Sequence, residues 1–171
     1  MNTIFRTRPI TSATAHVPMF AVAAFASLMT IAQAAADHGD TVLTVATPSI
    51  KAELTLEALM QMPQTTFTTS TIWTEGEVTF VGVSLYDLFA AYEITEGDVS
   101  AIAINDYKVT VPVTDATEDG PIVAYTMNGE EMQRRDKGPL WVVYPYDSKS
   151  SYQTETIYSR SIWQLNRLDS Q

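Results

Sequence analysis

The stretch that most limits what this chain can become is 121–147, PIVAYTMNGEEMQRRDKGPLWVVYPYD. Asn128-Gly129 predicts a two-residue turn, because both residue types tolerate the positive φ that a tight hairpin demands. Residues 140–144 are continuously apolar, with paired valines between aromatics. Such a run predicts a strand buried on both faces. Between turn and strand lie Arg134, Arg135, Asp136 and Lys137, a cationic knot in a chain with 10 Lys+Arg against 20 Asp+Glu. A basic loop flanked by aromatics and held by buried strands offers a place for a planar, electron-rich or anionic ligand.

The start of the chain reads as an address. Arg6 and Arg8 precede an almost wholly apolar run over 17–32, and no acid occurs before Asp37. Ala32-Gln33-Ala34 and Ala34-Ala35-Ala36 both show the small-x-small pattern of a leader cleavage site. A membrane anchor is the competing reading, and Pro18, the scattered Ser and Thr and the two cleavage sites favour a cleaved leader. The expectation is a signal peptide over 1–36, cut at 34–36, then a single domain over 37–171. That predicts a periplasmic protein with no stable membrane insertion after cleavage. Loss of Arg6 and Arg8 and of no acid takes the formal charge from −10 to −12, a surface that repels nucleic acid and anionic lipid. The absence of cysteine excludes disulfides, thiolate metal sites and cysteine nucleophiles. His38 alone survives the cleavage, so a zinc site or a histidine triad lacks its parts.

The remaining pattern mixes short strands with two helices. Strands are predicted over 41–47, 65–73, 99–104, 107–111 and 161–168, with an extended stretch from Val78 to Gly82. Helices are predicted over 54–62, stopped by Pro63, and over 84–93, opened by the Ser84–Asp87 capping pair. Asn105-Asp106 supplies a turn, and 115–120 and 147–153 read as polar loops. This predicts an α+β domain.

GVSLYDL (82–88), AYTMNG (124–129) and GPL (138–140) follow one another along the chain. In this order they resemble the GVPLxxLL, A-x-x-MNG and G-x-P-L-R elements of the sulfite-oxidase-like, molybdopterin-binding fold of oxidoreductases. The resemblance implies a mixed-sheet fold of many short strands with two or three helices. Two departures matter. Family enzymes hold molybdenum through a cysteine that would fall near Ile72, Trp73 and Thr74, and no hydroxyl or indole replaces a thiolate electronically. Trp141 stands where the family usually has an arginine, and losing one charged contact costs about 1.5–3 kcal/mol. DKGPLW (136–141) and SRSIWQL (159–165) resemble a cysteine-free exported branch described as pterin-binding, some of whose members act with a membrane-bound diguanylate cyclase/phosphodiesterase in cyclic-di-GMP signalling.

The expectation is therefore a pterin-binding protein, not an enzyme, taking a pterin such as a tetrahydropterin and reporting it to the periplasmic domain of such a partner. Molybdopterin ranks second as ligand. The alternative is a molybdopterin-dependent oxidoreductase module lacking the cysteine ligand, and a third reading is a pure interaction module. A pterin needs an aromatic face, an acid for its amino and ring N–H groups, and an arginine or amide for its carbonyl. Trp73 is the stacking candidate, weighed against a core role. Asp106 and Tyr107, with Asn105, offer polar groups or else a plain turn. Arg134 and Arg160 are candidates for the ligand's carbonyl or tail, Tyr144 for a pocket rim. Trp163 and Trp141 read as core.

Overall fold

The computed structural model describes residues 39–170. The predicted leader, 1–36, lies outside the described residues. Strand β1 (Thr41–Ala46) pairs antiparallel with β2 (Lys51–Thr55). A short helix, α1 (Leu56–Met60), follows, with the Thr55 side chain accepting from the Ala58 N–H at its start. β3 (Gln64–Ser70) and β4 (Glu77–Ser84) form a regular hairpin. Ser84 then caps α2 (Leu85–Ala91), accepting from the Asp87 N–H at 2.9 Å while its hydroxyl meets the Asp87 carboxylate at 2.6 Å. This is the predicted box with the shorter acid in the reach-back position.

β5 (Asp98–Ala103) and β6 (Lys108–Pro112) pair through a turn in which Asp106 is left-handed, φ 63°. β7 (Ile122–Met127) enters the predicted Asn128-Gly129 turn, with φ values of 53° and 84°, and returns as β8 (Glu130–Glu131). Then come β9 (Trp141–Val143), helix α3 (Glu155–Arg160) and β10 (Leu165–Ser170). One sheet has the order β2-β1-β10-β5-β6, with the first and last strands, β1 and β10, side by side and parallel. The other runs β3-β4-β7-β8, and β9 pairs with the opposite end of β7 from β8. Among the described residues no helix is long and apolar enough to cross a membrane.

The central hairpin forms as its composition demands. Leu140, Trp141, Val142, Val143 and Tyr144 are all fully buried, and β7 contributes Ile122, Val123, Ala124 and Tyr125 to the same core. Burying each large side chain contributes about 1.5–3 kcal/mol. Gly82 sits where the β4–β7 register shifts, and any side chain there would run into the Val123 carbonyl. Two strand expectations need correcting. The strand predicted over 65–73 stops at Ser70, because Thr71 Oγ1 accepts from the Trp73 N–H at 3.0 Å and bonds the Thr74 hydroxyl at 2.8 Å. A threonine that satisfies its neighbours' backbone competes with the ladder. The strand predicted over 161–168 begins only at Leu165, since Gln164 is left-handed (φ 52°) and breaks the extended run. β2 and α3 are elements that the sequence pattern does not predict.

Candidate functional site

A cleft of about 300 Å³ opens where three turns meet beside the first sheet. The end of β5 supplies Ala103, the β5–β6 turn Asn105 and Tyr107, and the turn after β3 Trp73. The opposite wall is the end of α3 and its exit, with Tyr158, Ser159 and Ser161 leading to Trp163 and Gln164. Thr154 caps α3 by accepting from the Ile157 N–H at 3.4 Å. The exit is held by Ser161, whose hydroxyl donates to the Ile157 carbonyl at 2.8 Å and accepts from the Tyr146 hydroxyl at 2.7 Å.

Trp73 is the hinge between core and cleft. Its ring meets Trp141, Trp163, Tyr158 and Tyr146 edge-on, at centroid distances of 5.7, 5.7, 5.8 and 6.2 Å. Edge-to-face pairs of this kind contribute about 0.5–1.5 kcal/mol each beyond burial. Trp141 lies wholly inside, with its indole N–H donating to the Ser161 carbonyl at 3.1 Å. Trp163 is 39% exposed and faces the cleft, so its place at the site differs from the core role expected of it. An isolated backbone bridge pairs Trp141 with Trp163, and their rings meet edge-on at 6.4 Å. The Lys137 ammonium lies 5.0 Å from the Trp163 ring and 5.4 Å from the Trp141 ring, a cation–π pair on the frame of the site.

Of the residues nominated from sequence, Trp73 and Tyr107 line this cleft. Asp106 borders a separate groove on the first sheet, beside Lys108, Arg167 and Asp169. Arg134 is exposed, and its carbonyl oxygen, not its guanidinium, reaches the site by accepting from Gln164 Nε2 at 2.6 Å. Tyr144 is fully buried, away from any rim. Its hydroxyl donates to Asp115 Oδ2 at 2.8 Å, and Arg160 Nη1 donates to the same oxygen at 2.8 Å. Burial, and then the Asp115 charge, push the Tyr144 hydroxyl well above the usual phenol range, so it stays a donor. Burial likewise raises Tyr146. Arg160 is thus committed to a clamp between α3, the segment after β6 and the end of β9. Gln164 and Ser161 went unassigned in the sequence reading, although both stand in the quoted SRSIWQL segment; a left-handed glutamine and a buried helix-exit serine carry no periodic signal.

A second fastening lies at the C-terminal end of β3. The Asp147 carboxylate accepts from the backbone N–H of Ser70, from its hydroxyl at 2.8 Å and from the Thr69 hydroxyl at 3.3 Å. Those donors, led by the Ser70 N–H, hold Asp147 below the usual carboxylate range. The turn that carries Trp73 begins one residue later, so this bond anchors its entry.

A family model described as "Oxidoreductase molybdopterin binding domain" matches residues 32–148. Among solved structures the chain is similar to the sulfane dehydrogenase SoxCD from Paracoccus pantotrophus, at 19% identity and a TM-score of 0.57. The likeness covers 74% of this chain and 37% of that one, and at this identity it is a likeness of fold. No curated protein matches the chain.

Proposed function

Because the chain belongs to the oxidoreductase molybdopterin-binding domain family, we propose that it is the pterin-holding domain of an oxidoreductase, with the ring seated in the cleft of Trp73, Tyr107, Tyr158 and Trp163. Membership in a family of oxidoreductases corrects the expectation that the protein is not an enzyme. It also brings a molybdopterin-type pterin forward from the second place that the sequence alone gives it. The observation that carries the proposal is the lining itself: four aromatic side chains around about 300 Å³, with no carboxylate, lysine or arginine among the lining residues. That volume lies at the small end of ligand pockets and suits a fused bicycle. Aromatic walls grip such a ring by its faces, and uncharged amides and hydroxyls are left to meet its edge.

The residues fit the ring and not the metal. The chain has no cysteine, and the described residues contain no group of three or more His, Cys, Asp or Glu placed to hold an ion. The turn at Ile72, Trp73 and Thr74 offers an indole and hydroxyls where the family resemblance puts a thiolate. No step through molybdenum is derived from these side chains. A bound pterin would supply the redox-active heterocycle; the chain stacks it, hydrogen-bonds its edge and shields it from water.

The missing thiolate and the leader-like first 36 residues favour a second reading. In it the protein works in the periplasm, and the periplasmic part of a membrane-bound cyclic-di-GMP enzyme distinguishes its loaded and empty states. Discrimination of about 100-fold needs only about 2.7 kcal/mol of coupling.

The test is titration of the purified protein with oxidised and tetrahydro pterins and with molybdopterin, together with metal analysis. Stoichiometric binding, with quenching of tryptophan fluorescence and a rise in melting temperature, is the expected result. No quenching and no shift with any of them would sink the proposal.

A further inference from the structure

The polar edge of the cleft is set by two side-chain amides whose orientations are fixed by bonds they already make. Asn105 Oδ1 accepts from the Tyr107 N–H at 3.1 Å, so the NH2 end of that amide is the end left over. Gln164 Nε2 donates to the Arg134 carbonyl at 2.6 Å, so Oε1 is the end left over there. A backbone N–H can meet only an oxygen, and a carbonyl only a nitrogen, so flipping either amide would forfeit its bond. Both residues line the cleft. The backbone also keeps them together: the Ile104 N–H donates to the Gln164 carbonyl oxygen at 2.9 Å, and Leu165 pairs with Ala103 in the β10–β5 register. The lining therefore holds one amide with a spare donor and one with a spare acceptor.

We infer that Asn105 and Gln164 read the edge of a fused 2-amino-4-oxo ring, Asn105 donating to the ring carbonyl and Gln164 Oε1 accepting from the exocyclic amino group. This deepens the pterin reading above and rests on it. Ring faces stacked on indoles discriminate little between heterocycles, and the lining holds no charge that could do so. The hydroxyls of the lining can donate or accept as the ring requires, so selection falls to the direction of the two amides. An amino group at position 2 satisfies Gln164, whereas a carbonyl there sets acceptor against acceptor and leaves both without a proton.

The test compares pterin with lumazine, its 2-oxo analogue, by quenching of tryptophan fluorescence. The wild-type protein binds pterin at least about 10-fold more tightly, the effect of one unmet hydrogen bond. In Gln164→Leu the preference collapses through weaker pterin binding, with lumazine unchanged. Gln164→Met, which keeps the length of the side chain but has no amide oxygen, is expected to lose the preference in the same way, and this keeps the inference open to test if the leucine variant does not fold. Asn105→Asp preserves the acceptor for the Tyr107 N–H but removes the donor, so both ligands weaken alike and their ratio holds. Equal binding of the two ligands by the wild type, or an undiminished preference in folded Gln164→Leu, overturns the edge assignment alone. Binding of neither by the wild type overturns the pterin reading and this inference with it.

Discussion

Arg160 ends α3 with its guanidinium 2.8 Å from Asp115 Oδ2 and 23% of its side chain exposed. Arg134, in the loop before β9, holds its side chain in solvent and touches the frame of the cleft only through its carbonyl oxygen. The two arginines look alike in the sequence and do different work. Arg160 shares one carboxylate oxygen with the buried Tyr144 hydroxyl, so it pins the wall that carries Tyr158, Ser159 and Ser161. Arg134 contributes backbone. Charge alone did not tell them apart; the carboxylate opposite did, and that carboxylate lies 45 residues away in the chain.

The comparison breaks most visibly at Asp115. Asp115→Ala leaves a guanidinium and a buried phenol without their shared acceptor, a loss of about 3 kcal/mol given the partial exposure of the pair. Tyr144→Phe removes one donor and leaves the ion pair, a loss of about 1 kcal/mol. Chemical denaturation of both, with the double variant, measures the coupling. Additive losses would mean that the clamp is two unrelated contacts. Asp115→Ala should also weaken pterin binding through the displaced α3 wall, which fluorescence titration reads.

A smaller effect sharpens the same point at β3. Asp147 has its folded-state affinity for a proton lowered by the Ser70 N–H and the hydroxyls of Ser70 and Thr69. A depressed carboxylate contributes stability that is present above its unfolded pKa and lost as pH falls through the folded value. The protein should therefore lose melting temperature on acidification through and below the ordinary carboxylate range. Asp147→Asn should start lower and show a flatter acid limb. An unchanged acid limb in that variant would mean that other groups govern the acid response.

How much of this was legible follows the same division. The hairpin of β7 and β8 and the buried β9 were plain, because a turn with two left-handed residues and an unbroken apolar run are local signals. So was α2, through Ser84 and Asp87. The cleft was only half legible. Trp73 and Tyr107 stand out as residue types, but the wall opposite is made by a helix of six residues, whose Ile157 and Tyr158 suit a strand as well as a helix. Its existence depends on the Thr154 cap, on Ser161 bonding back to Ile157 and on the Asp115 clamp. The left-handed Gln164 is likewise imposed by tertiary bonds, its N–H to the Lys137 carbonyl at 3.0 Å and its carbonyl to the Ile104 N–H at 2.9 Å. The family match itself ends at residue 148, before this wall begins; over that segment SRSIWQL carries a resemblance, but no periodicity marks the helix.

The smallest expected effect belongs to the loop that first drew the eye. Arg134→Ala with Arg135→Ala removes two exposed charges and keeps the Arg134 carbonyl, hence the bond from Gln164 that orients the cleft amide. Stability should change by less than about 0.5 kcal/mol. Pterin affinity should change by no more than about twofold, since an exposed charge outside the lining is screened. The same pair of measurements on Arg160→Ala should show a loss in both. If instead the loop variant lost binding while melting normally, Arg134 would be a ligand contact after all, its side chain reaching the cleft once a ring is seated. The difference between the two arginines would then be one of timing, not of place.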